Sequence, residues 1–392
     1  MKDKRNPAHD LDEIMPLLLN IWRRFHKEAG PADVLQTREF RGVVNAVTEL
    51  QKGLEDGKTL IGEDYFNNPK LLGAYLLYQW VVHYQQGLSI LGELPTVPSR
   101  VLDVCSGPAP LAFAALRHGC NDVYAVDRNV QALELGASVC GRYGLPLTVR
   151  RWDCIKGELP LEGKFDLIMV GHCIEELFPE DKQGWEDRQN AFIKRLIKRL
   201  TPTGYLILIE SSLPEANKRI LQLRDYLVLD NRIPVQAPCV WKGECPALKA
   251  KSQCYAQREF YKPYLIKEIQ RAVGINLSSL KMTYLIIRNP ESGWPKLPER
   301  VLNRVISPPL DSFQGKRFYL CGTEGRKILE SHLEEHPKDS RAFDYLRRGE
   351  LISIENALET PGAYDIIEGT KIIIEAPCGK PIPSVDTPQE EF

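Results

Sequence analysis

The chain of 392 residues predicts an α/β fold built on a parallel sheet. Three observations carry this. From Ser99 onward, short apolar runs alternate with helical periods, the pattern of strand-helix-strand units. The first run stops at a turn of small residues that opens a helix, an arrangement suited to a cofactor lying against bare backbone. Three successive runs each carry an acid at or next to their end, Asp103, Asp127 and Asp153.

Composition narrows the class. Forty-three per cent hydrophobic and 26 per cent charged residues are ordinary for a folded globular chain and argue against global disorder. With a net charge of −1 the chain is not basic throughout, so any nucleic-acid contact must come from local patches. No run reaches the roughly eighteen consecutive apolar residues of a spanning helix, so no membrane partner is expected. The first ten residues, Met1 to Asp10, lack an apolar signal core and carry early acids, so the expected compartment is the cytoplasm. Ten cysteines in that compartment are expected as free thiols and metal ligands.

Residues 1–95 predict a helical cap. Ile14, Leu17, Leu18, Ile21 and Trp22 recur at helical spacing, as do Val43, Val44, Val47 and Leu50; Leu71 to Leu91 continues the pattern with many aromatics. Residues 96–325 hold the alternating series. Val101 to Val104 is a first strand, closed by Cys105-Ser106-Gly107-Pro108-Ala109-Pro110 and a helix from Leu111 to Arg117. Val123 to Asp127 is a second strand whose final acid falls twenty-four residues after Asp103, where a carboxylate can accept both hydroxyls of a ribose. Leu147 to Asp153 is a third strand, also ending in an acid. Phe165 to Val170 is a fourth, followed by Gly171, His172 and Glu175; a helix from Asp187 to Leu200 and a strand from Gly204 to Glu210 complete the set.

Five strands in this order outline a class I S-adenosylmethionine methyltransferase (Rossmann-like) core. The candidate cofactor residues are Asp103, Ser106, Gly107, Asp127, Asp153 and His172. Buried Asp residues also serve as helix caps, and that alternative stands for each acid.

Downstream, Cys239, Cys245 and Cys254 fall within sixteen residues. Thiolates gathered this closely in a reducing compartment commonly hold a metal, because soft sulfur suits zinc or iron-sulfur clusters. Three close ligands leave one position open for a fourth thiolate from elsewhere. The spacing differs from the C-x-x-C of a zinc ribbon; zinc and metal-free buried thiols remain alternatives. From Cys239 to Arg271, seven Lys or Arg face three Glu, a local balance of +4, with Trp241, Tyr255, Phe260, Tyr261 and Tyr264 interleaved. That mixture suits RNA phosphates and bases, or is a solvated face.

Leu102 to Pro108, the segment ending Glu175-Glu176-Leu177, and the cysteine run with Gln257-Arg258 after it resemble the methyltransferase-like assembly factors of the mitochondrial small ribosomal subunit and their bacterial relatives. Gly73 to Tyr78 resembles part of the helix preceding that family's cofactor domain. The likeness runs from about Tyr65 to about Gly325. It implies a [4Fe-4S] cluster on the three clustered cysteines and Cys321, S-adenosylmethionine at the small-residue turn, and small-subunit rRNA as partner.

The sequence departs from the family at the turn, where Cys105 and Ala109 replace the first and last glycines of Gly-x-Gly-Pro-Gly. After the fourth strand, Gly171 to Glu176 stands where base-directed N-methyltransferases often carry an Asn/Asp-Pro-Pro-Tyr motif, so no catalytic residue is assigned. His172 and Glu175 can act as general bases or can simply cap and pack. The expected function is a small-subunit assembly factor. The alternatives are an active methyltransferase on rRNA or a small molecule, and a redox-sensing cluster enzyme. Residues 326–392 predict a small β-structure, with strands in Gly349 to Ile354 and Gly369 to Ile374, a helix from Ser340 to Arg348, an OB-like barrel as one possible shape, and a disordered tail from Ser384.

Overall fold

The computed structural model describes residues 10–56, 58–313 and 315–385. The expectation for the tail lies, from residue 386 on, outside the described residues. Helices α1 (Leu11–His26), α2 (Thr37–Gln51), α3 (Pro69–Leu77) and α4 (Gln79–Leu91) come first. The alternating series follows: β1 (Arg100–Val104), α5 (Pro110–His118), β2 (Asp122–Asp127), α6 (Val130–Arg142), β3 (Thr148–Arg151), β4 (Phe165–Gly171), α7 (Ile174–Leu177), α8 (Trp185–Ile197) and β5 (Leu200–Glu210). Then come α9 (Pro214–Asp225), β6 (Val235–Ala237), α10 (Pro246–Lys249), β7 (Ala256–Arg258), α11 (Tyr264–Val273) and β8 (Leu280–Arg288). The last strands are β9 (Asn303–Val305), β10 (Leu310–Ser312), β11 (Gly315–Gly322), β12 (Gly325–Ser331), β13 (Leu351–Glu355), β14 (Leu358–Thr360), β15 (Ala363–Asp365) and β16 (Lys371–Ala376).

The chain divides into two compact units, residues 1–91 with 97–200 and 259–280, and residues 92–96 with 201–258 and 281–392. In the first unit, β1 pairs in parallel with β2 and β4, and β2 with β3, giving the order β3-β2-β1-β4. This is the Rossmann-like α/β arrangement the alternation predicts. Val101, Leu102 and Val104 are fully buried, because both faces of a parallel sheet are covered. The predicted helix over Leu71 to Leu91 is two helices. Tyr78 lies between them at φ −126°, ψ −70°, its N–H still bonded to Ala74 O and its hydroxyl accepting a hydrogen bond from Gln270 on α11. Seating that buried ring on α11 accompanies a one-residue break that no proline or glycine announces.

In the second unit, β5 and β6 each pair antiparallel with β8. The C-terminal strands run β14-β15-β12-β11-β9-β13-β16, a path with two ends rather than a closed barrel among the described residues, and it reaches back to Asn303. β13 and β16 form where the apolar runs predict strands and pair antiparallel. The helix expected from Ser340 to Arg348 is only a 3-10 turn, Arg341–Tyr345. Phe343 is buried there edge-on to Phe318 at 5.1 Å, and the backbone at Leu346 turns extended to bury that side chain as well.

Candidate functional site

The first unit contains a cavity of about 740 Å³, open mouth included, at the ends of β1, β2 and β4. Of the six candidate cofactor residues, Gly107, Asp127, Asp153 and His172 line it, while Asp103 and Ser106 lie behind its wall. The Asp127 carboxylate accepts N–H bonds from Gly107 (2.9 Å) and Asn129 (2.8 Å), so it organises the turn while retaining lone pairs toward the cavity. Burial pushes its pKa up, against those two backbone donors. Gly107 sits at φ +51°, and a Cβ there would meet the Phe66 ring at 2.9 Å. The turn therefore needs glycine at this point on two counts.

Asp103 instead accepts the Ala112 N–H at 2.9 Å, bracing the first turns of α5; burial holds its pKa well up. Its second oxygen and the Ser106 hydroxyl are buried without a protein partner. Two unsatisfied acceptors behind the turn suit a site completed by a polar ligand or water. Cys105 (φ +56°) and Ala109 (φ +60°) both adopt left-handed backbone, the conformation that favours glycine. Each therefore carries strain of about 1 kcal/mol or more. The Cys105 thiol lines the cavity and lies 3.6 Å from that of Cys154, with Cys173 also on the wall. These three cysteines come from separate connections, after β1, β3 and β4.

His172, also left-handed at φ +55°, stacks on His83 with ring centroids 3.8 Å apart, and its Nε2 lies 2.9 Å from Gln86 Oε1. His83 Nδ1 in turn lies 2.8 Å from the Tyr75 hydroxyl. Burial pushes His172 down to about 4 and His83 well below its ordinary value, so both rings are neutral near pH 7. With the amide oxygen accepting from Nε2, the Nδ1 of His172 is left as an acceptor.

The second unit holds a separate cavity of about 540 Å³, open mouth included, lined by all four candidate cysteines, Cys239, Cys245, Cys254 and Cys321. The surrounding fold fixes them individually. The Cys245 N–H donates to both carboxylate oxygens of Asp225, at 3.1 and 3.0 Å. Asn217 clamps Cys254 by donating to its carbonyl (2.7 Å) and accepting from its N–H (3.3 Å). Arg224, almost fully buried, donates to the carbonyls of Trp241 and Gly243 in the loop between Cys239 and Cys245. Cys321 stands on β11, opposite Arg304 of β9 and Arg326 of β12.

Burial first, and then the neighbouring thiols, push Cys254 well up and Cys321 to about 12. Cys245 is pushed up in the same way, by burial and then by a neighbouring thiol, and thiols packed this closely become thiolate ligands only when a cation gathers among them. The guanidiniums of Arg224, Arg326 and Arg348 act on the set in the opposite sense, suiting an assembly of net negative charge. Among the described residues, no three of these sulfurs lie within 4.8 Å of one another. Tetrahedral zinc with Zn–S bonds of about 2.3 Å would hold them about 3.8 Å apart, whereas the iron and sulfide of a cluster separate them more widely.

Of the cations from Cys239 to Arg271, Lys242, Lys249, Lys251, Lys267 and Arg271 are exposed, and Tyr264 is 72% exposed. Arg258 is not part of any exposed patch: it is buried on Glu93.

Among solved structures, the chain is similar to the plantazolicin methyltransferase BpumL in complex with SAH, at 13% identity over 64% of this chain and 98% of that one, TM-score 0.33. It is similar to the N-methyltransferase NodS from Bradyrhizobium japonicum WM9, at 15% identity over 53% and 94%, TM-score 0.34. It is also similar to a ribosomal protein L11 methylase from Lactobacillus delbrueckii subsp. bulgaricus, at 15% identity over 53% and 78%, TM-score 0.32. Curated protein sequences give no match. The model of the family described as mitochondrial small ribosomal subunit Rsm22 matches residues 73–332, two-thirds of the sequence, and the chain belongs to that family.

Proposed function

We propose that this protein is an assembly factor of the small ribosomal subunit that binds rRNA, carries a [4Fe-4S] cluster on Cys239, Cys245, Cys254 and Cys321, and holds S-adenosylmethionine in the cavity beside Gly107 and Asp127. The carrying observation is the convergence of four thiols, three from one loop region and one from β11, on a single cavity. In this reading the cluster ties the exposed lysines of its loop to β11, so that a basic surface is presented in a fixed shape to phosphates. The place of action is wherever the small subunit is assembled, the cytoplasm on the sequence reading.

In the first cavity, Asp127 would accept the ribose hydroxyls and the turn at Gly107 would take the cofactor against its backbone. Bound there, S-adenosylmethionine supplies an electrophilic methyl group. One observation favours a second reading, an active methyltransferase on rRNA or a small molecule: the neutral His172 on the cavity wall can take a proton from an acceptor amine. Crosslinking of the protein to RNA in cells, followed by sequencing, tests the primary reading. Enrichment of small-subunit rRNA at one locus is expected, and no enrichment would remove it.

A further inference from the structure

A third cavity, of about 360 Å³ with its open mouth included, lies in the second unit and is lined by three guanidiniums, those of Arg258, Arg304 and Arg348, and by no carboxylate. The sequence brings them from β7, β9 and the segment before β13, ninety residues apart end to end. Each is partly satisfied by protein. Arg258 donates to Glu93 Oε1 (2.5 Å) and to the Gln257 carbonyl (3.0 Å). Arg304 donates from Nε to Pro238 O (2.7 Å) and from Nη1 to Gly349 O (2.5 Å). Arg348 lies over the Tyr255 ring, 4.0 Å from its centroid.

What remains is a set of buried N–H groups with no acceptor: Arg258 Nε, Arg304 Nη2, and Arg348 Nε and Nη1. Arg304 is 5% exposed and Arg258 8%, so bulk water does not serve them freely. Among hydrogen-bonding partners, Glu93 balances only the charge of Arg258. An unpaired buried guanidinium is strongly destabilising, and an oxyanion is the ligand its planar fork fits. The four unpartnered donors of the three guanidiniums that line this cavity outnumber the two oxygens of a carboxylate and suit the three or four of a phosphoryl group. The Tyr255 and Tyr284 rings on the same wall offer flat apolar surface to whatever carries it.

We propose that this cavity binds a phosphoryl group, either of a free phosphate ester or of an RNA backbone; the second source rests on the rRNA reading above, the site itself does not. The test is calorimetric titration of the full-length protein with inorganic phosphate at constant ionic strength. Saturable binding is expected, weakened at least tenfold in Arg348→Gln, whose half-buried position spares the core, and only partly restored in Arg348→Lys, which keeps the charge but lacks the fork. If the variants do not fold, the wild-type melting temperature at matched ionic strength decides: phosphate must raise it above chloride. Absence of saturable phosphate binding, or binding indifferent to Arg348→Gln, overturns the proposal.

Two further titrations identify the source. If Arg348→Gln weakens a short RNA and lowers its log-log salt slope by about one, the phosphate is a backbone phosphate. If it weakens a nucleoside monophosphate and leaves RNA unchanged, the ligand is a free ester.

Discussion

Removing the Glu93 side chain should be among the costliest single changes to the second unit. Glu93 is 1% exposed, and its two carboxylate oxygens accept from Arg258 Nη2 at 2.5 Å and from the Tyr284 hydroxyl at 2.7 Å. In Glu93→Ala the guanidinium of Arg258 stays buried without its counter-charge, which costs about 3–5 kcal/mol, and the tyrosine hydroxyl loses its acceptor as well. Because the two losses share one cavity they are not additive, so the expected total is about 4 kcal/mol, or about 10 °C in melting temperature. Removing both charges together, in Glu93→Leu with Arg258→Met, should cost much less than the sum of the single changes, since no orphaned ion remains. Equilibrium urea unfolding followed by tryptophan fluorescence measures both. A loss below 1 kcal/mol in Glu93→Ala, or additive costs in the cycle, would refute the reasoning.

Two predictions concern the first unit. Asp127→Ala should weaken S-adenosylhomocysteine binding at least tenfold by calorimetry, because it removes the ribose acceptor and strands the N–H groups of Gly107 and Asn129; unchanged affinity would mean the cofactor does not lie against that carboxylate. His172 has a folded pKa of about 4, depressed from an unfolded value of about 6.5, so the unfolded chain binds more protons between those values and stability should fall as pH drops through that window. His83 acts in the same direction. Thermal melts from pH 7 to pH 4 should show a shallower decline in His172→Asn than in wild type.

How far the sequence disclosed the site depended on whether one residue's position or a convergence had to be read. Asp127 is legible, because an acid ending the second strand after a small-residue turn has a geometric job that spacing alone suggests. Asp103 looks equivalent in sequence, yet its carboxylate turns under the start of α5 and reaches Ala112, a direction fixed by packing rather than pattern. Cys239, Cys245 and Cys254 are visible as a cluster within one loop region; Cys321 emerged only from a family resemblance, since nothing in a strand sequence says which distant loop it faces. The trios Cys105-Cys154-Cys173 and Arg258-Arg304-Arg348 are assembled wholly by tertiary structure and leave no local signal. Likewise the break at Tyr78 follows from seating one ring on α11, while the failed helix after Ser340 reflects two apolar side chains drawn into a sheet core that periodicity does not reveal.

The central claim is that four thiolates hold an iron-sulfur cluster. Its most direct measurement is iron, zinc and acid-labile sulfide per chain in anaerobically purified protein, wild type beside Cys321→Ser and Cys140→Ser, the latter a buried thiol on α6. The account predicts about four iron and four sulfide in wild type and Cys140→Ser, with cluster content sharply reduced in Cys321→Ser. One zinc per chain without iron, or a cluster whose content is indifferent to Cys321, would contradict it.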